Sequence, residues 1–155
     1  MAHLISCNKE GLVGNSEADH LASAYTILLV EDEKFVRQSM EEALRLSGYT
    51  VLAASNAVEA LEICHDFSHP PDLLLADLVM PGMSGGELAG VFRALHPQAG
   101  VLLMSGYAEE LAPHTSAAGC GPHLRKPFSV ETLIKAVSEL LDANALLSKT
   151  AVAKV

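Results

Sequence analysis

"LLLADLVMPGMSGGEL", residues 73–88, runs four apolar residues into Asp77 and then into a bend crowded with Pro81, Gly82, Gly85 and Gly86. A continuous apolar run bounded by turn residues suits a strand covered on both faces, because a strand with one wet face alternates. Such a strand belongs to a parallel sheet with helices on both sides. This one stops on a carboxylate, and a lone acid there would by default cap the next helix. Whether Asp77 does more depends on what else the chain brings to the same place.

Similar runs occur at "TILLV" (26–30), "VLAA" (51–54), "DLLLA" (72–76), "VLLM" (101–104) and, more weakly, "HLR" (123–125). Between them the apolar spacing changes to 3.6. Val36, Met40, Ala43 and Leu44 share one face of a first helix, and Gly48 is placed to end it in the left-handed region. A second begins at Asn56, has Glu59 three residues on, and turns Ala57, Leu61 and Cys64 inward. A capping box, Ser84 to Glu87, opens the third, which presents Leu88, Val91, Phe92 and Leu95 and stops before Pro97. The last opens at Ser129 and buries Leu133, Val137, Leu140 and Leu141. After the fourth strand, "YAEELAPHTSAAG" (107–119) carries Pro113 in its middle. A proline inside a helix costs about 3 kcal/mol, so a short, bent or shifted helix is expected there.

Five strands alternating with helices are the pattern of a doubly wound α/β domain. It is expected over residues 25–142. Residues 1–24 mix glycine, asparagine and scattered charge without a period and read as a loose arm. Residues 143–155 read as a tail that extends the last helix at most, with a weak apolar face.

Composition narrows the class. Lys plus Arg number 10 against 19 Asp plus Glu, a net charge of −9, which repels phosphate backbones and excludes direct nucleic-acid binding. No apolar run approaches the roughly 18 residues a membrane span requires, and the start lacks the charged and apolar regions of an export signal. Cys7, Cys64 and Cys120 form no CxxC and leave an odd thiol, so reduced cysteines in the cytoplasm are expected, without zinc. A GxxxxGK[ST] loop, HExxH and GxGxxG after the first strand are all missing, so ATPase and dehydrogenase readings have no support.

Parallel sheets of this kind place ligands outside the carboxyl ends of their strands. The first strand ends on Glu31 and Asp32, the third on Asp77 and the fourth on Ser105, and the fifth runs into Lys126. Like charges about 4 Å apart repel by roughly 4 kcal/mol at an effective dielectric of 20, so three ionised acids need a cation among them. Hard oxygen ligands suit Mg²⁺. A phosphoryl group bound beside the ion would meet the Ser105 hydroxyl and the Lys126 ammonium.

"VEDE" after the first strand, "DLVMPGMSG" after the third, "MSGY" after the fourth and "RKPF" after the fifth together resemble the receiver domain of two-component response regulators, over roughly residues 25–142. The resemblance implies a flavodoxin-like (βα)5 fold with strand order 2-1-3-4-5. It implies that Asp77 takes a phosphoryl group from a histidine kinase or phosphotransfer protein. Glu31, Asp32, Asp77 and the Val79 backbone carbonyl would hold Mg²⁺, Ser105 would be the switch hydroxyl, and Lys126 would pair with the phosphoryl group across a cis bond to Pro127. Such a domain is a phosphoacceptor in signal transduction, catalysing only its own phosphorylation and dephosphorylation.

Two departures bear on output. His123 stands where the family usually has Tyr or Phe, three residues before Lys126, and Tyr107, two after Ser105, is the other switch candidate. The 13 residues after Asp142 are too few for an effector domain, so output is expected through a partner protein unless the chain is a fragment. A stand-alone regulator and the receiver of a hybrid kinase both stay open, as does a homodimer. The competing reading keeps the fold and drops the chemistry: a degenerate receiver used for protein binding or dimerisation. A metal-dependent phosphatase would need an acid at position 79, where the chain has Val.

Overall fold

The computed structural model describes residues 25–106 and 121–153. The elements run β1 (Thr26–Val30), α1 (Lys34–Leu46), β2 (Thr50–Ala54), α2 (Ala57–Asp66), β3 (Leu73–Asp77), α3 (Gly85–Leu95), β4 (Gly100–Ser105), β5 (His123–Arg125) and α4 (Val130–Val152). All strand pairs are parallel, and the sheet order is β2-β1-β3-β4-β5. The expected doubly wound sheet is what the chain forms.

Alternation along each strand divides the core in two. Ile27 and Leu29 of β1, with Leu73 and Leu75 of β3, pack against Met40 and Leu44 of α1 and Leu133, Val137 and Leu141 of α4. Leu28 and Val30, with Leu74 and Ala76, pack on the other side against Ala57 and Ala60 of α2 and Leu88 and Phe92 of α3. Burying one such Leu or Phe side chain stabilises by about 1.5–3 kcal/mol, which explains why neither face can be polar. The apolar runs are continuous because both sides are covered.

Helix ends follow local chemistry. Gly48 has φ +93°; its N–H reaches the Arg45 carbonyl (3.0 Å) while that of Tyr49 reaches Leu44 (3.2 Å), the paired bonds of a Schellman ending. Asn56 caps α2 by accepting the Glu59 N–H (2.9 Å). The Ser84–Glu87 capping box is complete in both directions, and Ser129 caps α4 through the Thr132 N–H (3.1 Å).

β3 ends on Asp77, as its sequence suggests, one residue beyond the apolar run. Other expectations need correction. The buried face of α3 is Gly85, Leu88, Ala89 and Phe92, leaving Val91 and Leu95 exposed; the small Gly85 and Ala89 let the helix rotate toward the sheet on that side. Residues 143–152 continue α4 without a break, so the tail is helical almost to its end, with Leu146, Leu147 and Val152 exposed. The arm (1–24), the Pro113 segment with Tyr107, and Cys7 and Cys120 lie outside the described residues. Cys64 is a free thiol whose pKa burial pushes up, which makes it a packing residue and a poor nucleophile.

Candidate functional site

The carboxyl ends of β1, β3 and β4 sit side by side. In register Val30 faces Ala76, so Glu31 follows immediately beside Asp77, and Asp77 faces Met104, one residue short of Ser105. Lys126 is brought in by its own backbone, whose N–H bonds the Ser105 carbonyl (2.8 Å) just past β5; the Lys126–Pro127 peptide is cis.

Glu31 and Asp77 are 1% and 7% exposed, and Asp32 is on the surface. One carboxylate oxygen from each of the three acids lies within 4.8 Å of the others. The Lys126 Nζ donates to Asp77 Oδ2 (2.9 Å) and to Glu31 Oε2 (3.0 Å). The second oxygen of Asp77 accepts the Val79 N–H (3.3 Å), and that of Glu31 accepts the Glu33 N–H (3.1 Å). The two acids lie just before the N-cap Glu33, at the positive end of α1, where the helix dipole also favours negative charge.

Burial raises the Glu31 pKa above the ordinary 4.5, and the Lys126 ammonium only partly opposes this. Between 4.5 and the raised value the folded protein holds a proton that the unfolded chain has lost, so stability falls as pH climbs through that window. For Lys126 burial works to lower the pKa, but its bonds to Asp77 and Glu31 outweigh it and leave the ammonium above 10.5. Its contribution is therefore complete at neutral pH and is lost only as pH rises past that range. One ammonium serves three carboxylates, two of them buried. Hard oxygen donors short of positive charge fit a small divalent cation such as Mg²⁺.

Ser105 is 3% exposed at the end of β4. His123 is exposed at the opening of β5, opposite Leu103, and the Val79 side chain is half exposed. Sequence reasoning missed Arg37, whose guanidinium reaches back from α1 to the Glu31 carbonyl; its signal was a cation four residues after the N-cap, where the helix dipole disfavours one.

The bend after Asp77 needs glycine for two separate reasons. Gly82 has φ +81°. Gly85 donates its N–H to the Leu78 carbonyl (2.9 Å) and lies so close to β3 that a Cβ there would overlap the Asp77 carbonyl oxygen. Because that obstacle is backbone, Gly85→Ala is expected to cost about 1–3 kcal/mol by overpacking and to displace the acid. Chemical denaturation and the phosphoryl uptake of the folded variant would both register it, and an unchanged protein would mean the turn is looser than drawn.

The family model of the response regulator receiver domain matches residues 27–138. The sensor kinase CckA of Brucella abortus is 40% identical over 127 residues, 81% of this chain but 13% of the kinase. The response regulator receiver protein CpdR of the same organism is 34% identical over 118 residues, covering 76% of this chain and 97% of that protein. A solved receiver domain protein from Clostridium thermocellum superposes with a TM-score of 0.70 at 27% identity, covering 79% of this chain and 98% of that one. Of several larger relatives the chain spans only 13–28% of the length.

Proposed function

We propose, for a chain that belongs to the response regulator receiver domain family, that Asp77 is the phosphoacceptor and that Glu31, Asp32, Asp77 and the Val79 carbonyl hold Mg²⁺. The observation that carries this is the Lys126 ammonium bridging Asp77 and Glu31 inside a knot of three carboxylates. A degenerate binding module has no use for that costly arrangement.

A phosphohistidine of a sensor kinase or phosphotransfer protein presents the donor. An Asp77 carboxylate oxygen attacks phosphorus in line; the O–P bond forms as the N–P bond breaks, and the freed imidazole nitrogen takes a proton from water. Mg²⁺, which Glu31, Asp32, Asp77 and the Val79 carbonyl would hold, would supply positive charge to offset the negative charge of the reacting groups. Lys126 supplies a fixed positive charge on the Asp77 side of the site. The Ser105 hydroxyl donates to the phosphoryl group and draws its strand end inward, a population shift of the size usual for coupled sites, about 1–3 kcal/mol. Tyr107 and His123 are the residues we assign to passing that change to a downstream protein effector.

The apolar groove between Phe35, Val36 and Met40 of α1 and Pro127, Phe128 and Val130 adjoins Lys126, which gives the donor protein a surface next to Asp77. Among the described residues no helix is long and apolar enough to cross a membrane, and we place the domain's work in the cytoplasm, with a kinase. The likeness to the sensor kinase CckA and to the receiver protein CpdR supports hybrid-kinase and stand-alone contexts alike.

Incubation with Mg²⁺ and acetyl phosphate tests the reading: intact mass should rise by one phosphoryl group, and chelating the metal should prevent it. No gain in either condition would favour the binding module. A second outcome follows from the charge count. Asp32 is exposed, and no described hydrogen bond joins its carboxylate to Lys126, so Asp32→Asn relieves repulsion without orphaning the ammonium. Metal-free Asp32→Asn is expected to be more stable by up to about 1 kcal/mol, the ceiling that solvent screening sets for exposed charges, and to lose most of the Mg²⁺-induced rise in melting temperature. A metal response equal to the wild type's would remove Asp32 from the ligand set.

A further inference from the structure

We propose that Arg37 is a positioning residue for the acid pair, holding the β1–α1 loop in the shape that turns Glu31 and Asp32 toward Asp77. Its Nη1 donates to the Glu31 carbonyl at 2.6 Å and lies 3.4 Å from that of Asp32. This inference rests on the metal-binding role assigned to those acids above.

The loop has few other restraints. The N-cap of α1 is Glu33, whose side chain makes no capping hydrogen bond, and the first turn holds no acid, so the helix opens without the devices that fix α2, α3 and α4. On the strand side the last tie is the Glu31 N–H to the Ala54 carbonyl (3.1 Å). Between that bond and the first helical bond, Arg37 N–H to Glu33 carbonyl (2.9 Å), the Glu31 and Asp32 carbonyls have no ladder or helix partner to orient them. A buried or half-buried carbonyl without a partner is costly. Arg37 supplies it from the same residue that closes the first turn.

The cost of the arrangement indicates that it does something specific. A cation in the opening turns of a helix opposes the macrodipole, and a positive charge this near the acids weakens the field that attracts a divalent ion. If the guanidinium acted only as a charge, removing it would tighten Mg²⁺ binding. If it acts by fixing the peptide planes of residues 31–33, removing it loosens the carboxylates and weakens binding, as loss of outer-shell support around metal ligands does. The two roles predict opposite signs. Glu59, held by the Ser55 N–H (2.7 Å) and Oγ (2.6 Å), has its carboxylate favoured first by those bonds and, at longer range, by the Arg37 charge.

Mg²⁺ affinity of the folded protein, measured by calorimetry, separates these roles, with amide hydrogen exchange of residues 31–33 followed in metal-free protein. Arg37→Ala should lose about tenfold in affinity and exchange the Glu33 amide faster, while Arg37→Lys, which keeps the charge and can reach one carbonyl, should recover part of both. Affinity equal to or tighter than wild type in Arg37→Ala, or a drop in melting temperature with unchanged affinity, overturns the positioning role and leaves the metal site standing. Absence of Mg²⁺ binding by the wild type would overturn the metal site itself and this inference with it.

Discussion

Asp77→Asn is expected to take up no phosphoryl group from acetyl phosphate or from a phosphorylated kinase, under conditions in which the wild type gains one. The amide nitrogen and carbonyl oxygen of asparagine cannot displace a phosphohistidine at a useful rate, and the surrounding residues offer no replacement. Glu31 is committed to Lys126 and to the Glu33 N–H, and Asp32 lies at the surface outside the strand end. The substitution should not unfold the protein. Lys126 keeps Glu31 as a partner, and one of three mutually repelling carboxylates is gone, so the metal-free variant should melt no lower than wild type. Residual uptake at wild-type levels would assign the acceptor to another acid.

Lys126→Met carries the other large effect, and it acts on stability as well as chemistry. Asp77 and Glu31 side chains are 10% and 2% exposed, against 29% for Lys126. Removing one partner of a buried pair commonly costs 3–5 kcal/mol; with part of the ammonium in solvent, a loss of about 2–3 kcal/mol at neutral pH is expected. Glu31, already raised by burial, would rise further, so the gap between variant and wild type should narrow as pH falls and Glu31 takes up its proton. Saturating Mg²⁺ should narrow it too, by mass action on the folded state. Phosphoryl uptake should slow by roughly 10²–10³-fold, the usual effect of losing one fixed positive or hydrogen-bonding group on a reacting oxyanion. Urea denaturation at pH 5 and pH 8, with and without metal, checks the sign of each dependence. A variant equally destabilised at both pH values would mean that Lys126 contributes by packing.

The fold was legible wherever one physical pattern dominated. Continuous runs such as Ile27–Val30 and Leu73–Ala76 can only be strands covered twice, and the strand order came with the resemblance carried by four motifs. The caps at Asn56, Ser84 and Ser129 and the left-handed Gly48 were readable because each involves residues at fixed short spacing. What failed was rotation and extent. Leu88 and Phe92 lie on both the expected and the observed face of α3; the choice between Val91 and Ala89 depends on how closely the helix approaches the sheet, which the apolar period does not contain. That α4 could extend into the tail was readable, but not how far: Ser148, Lys149 and Thr150 weaken the apolar face without breaking the backbone, which stays helical to Val152.

At the site, Glu31, Asp32, Asp77, Ser105 and Lys126 were visible as strand-end residues, because topology alone sends them to one edge. Their hydrogen bonds were not. That Glu31 is nearly sealed from water and Asp32 is not could not be told from two adjacent acids. Arg37 escaped altogether, since its bonds are to backbone carbonyls that leave no mark on side-chain chemistry.

The most direct test of the central claim is to trap the acyl phosphate where it forms. Wild-type protein incubated with Mg²⁺ and acetyl phosphate, then reduced with borohydride and digested, should yield homoserine in place of aspartate at position 77 and intact acids at positions 31 and 32. Reduction at another residue, or none in a sample whose intact mass shows the phosphoryl group, would contradict the account.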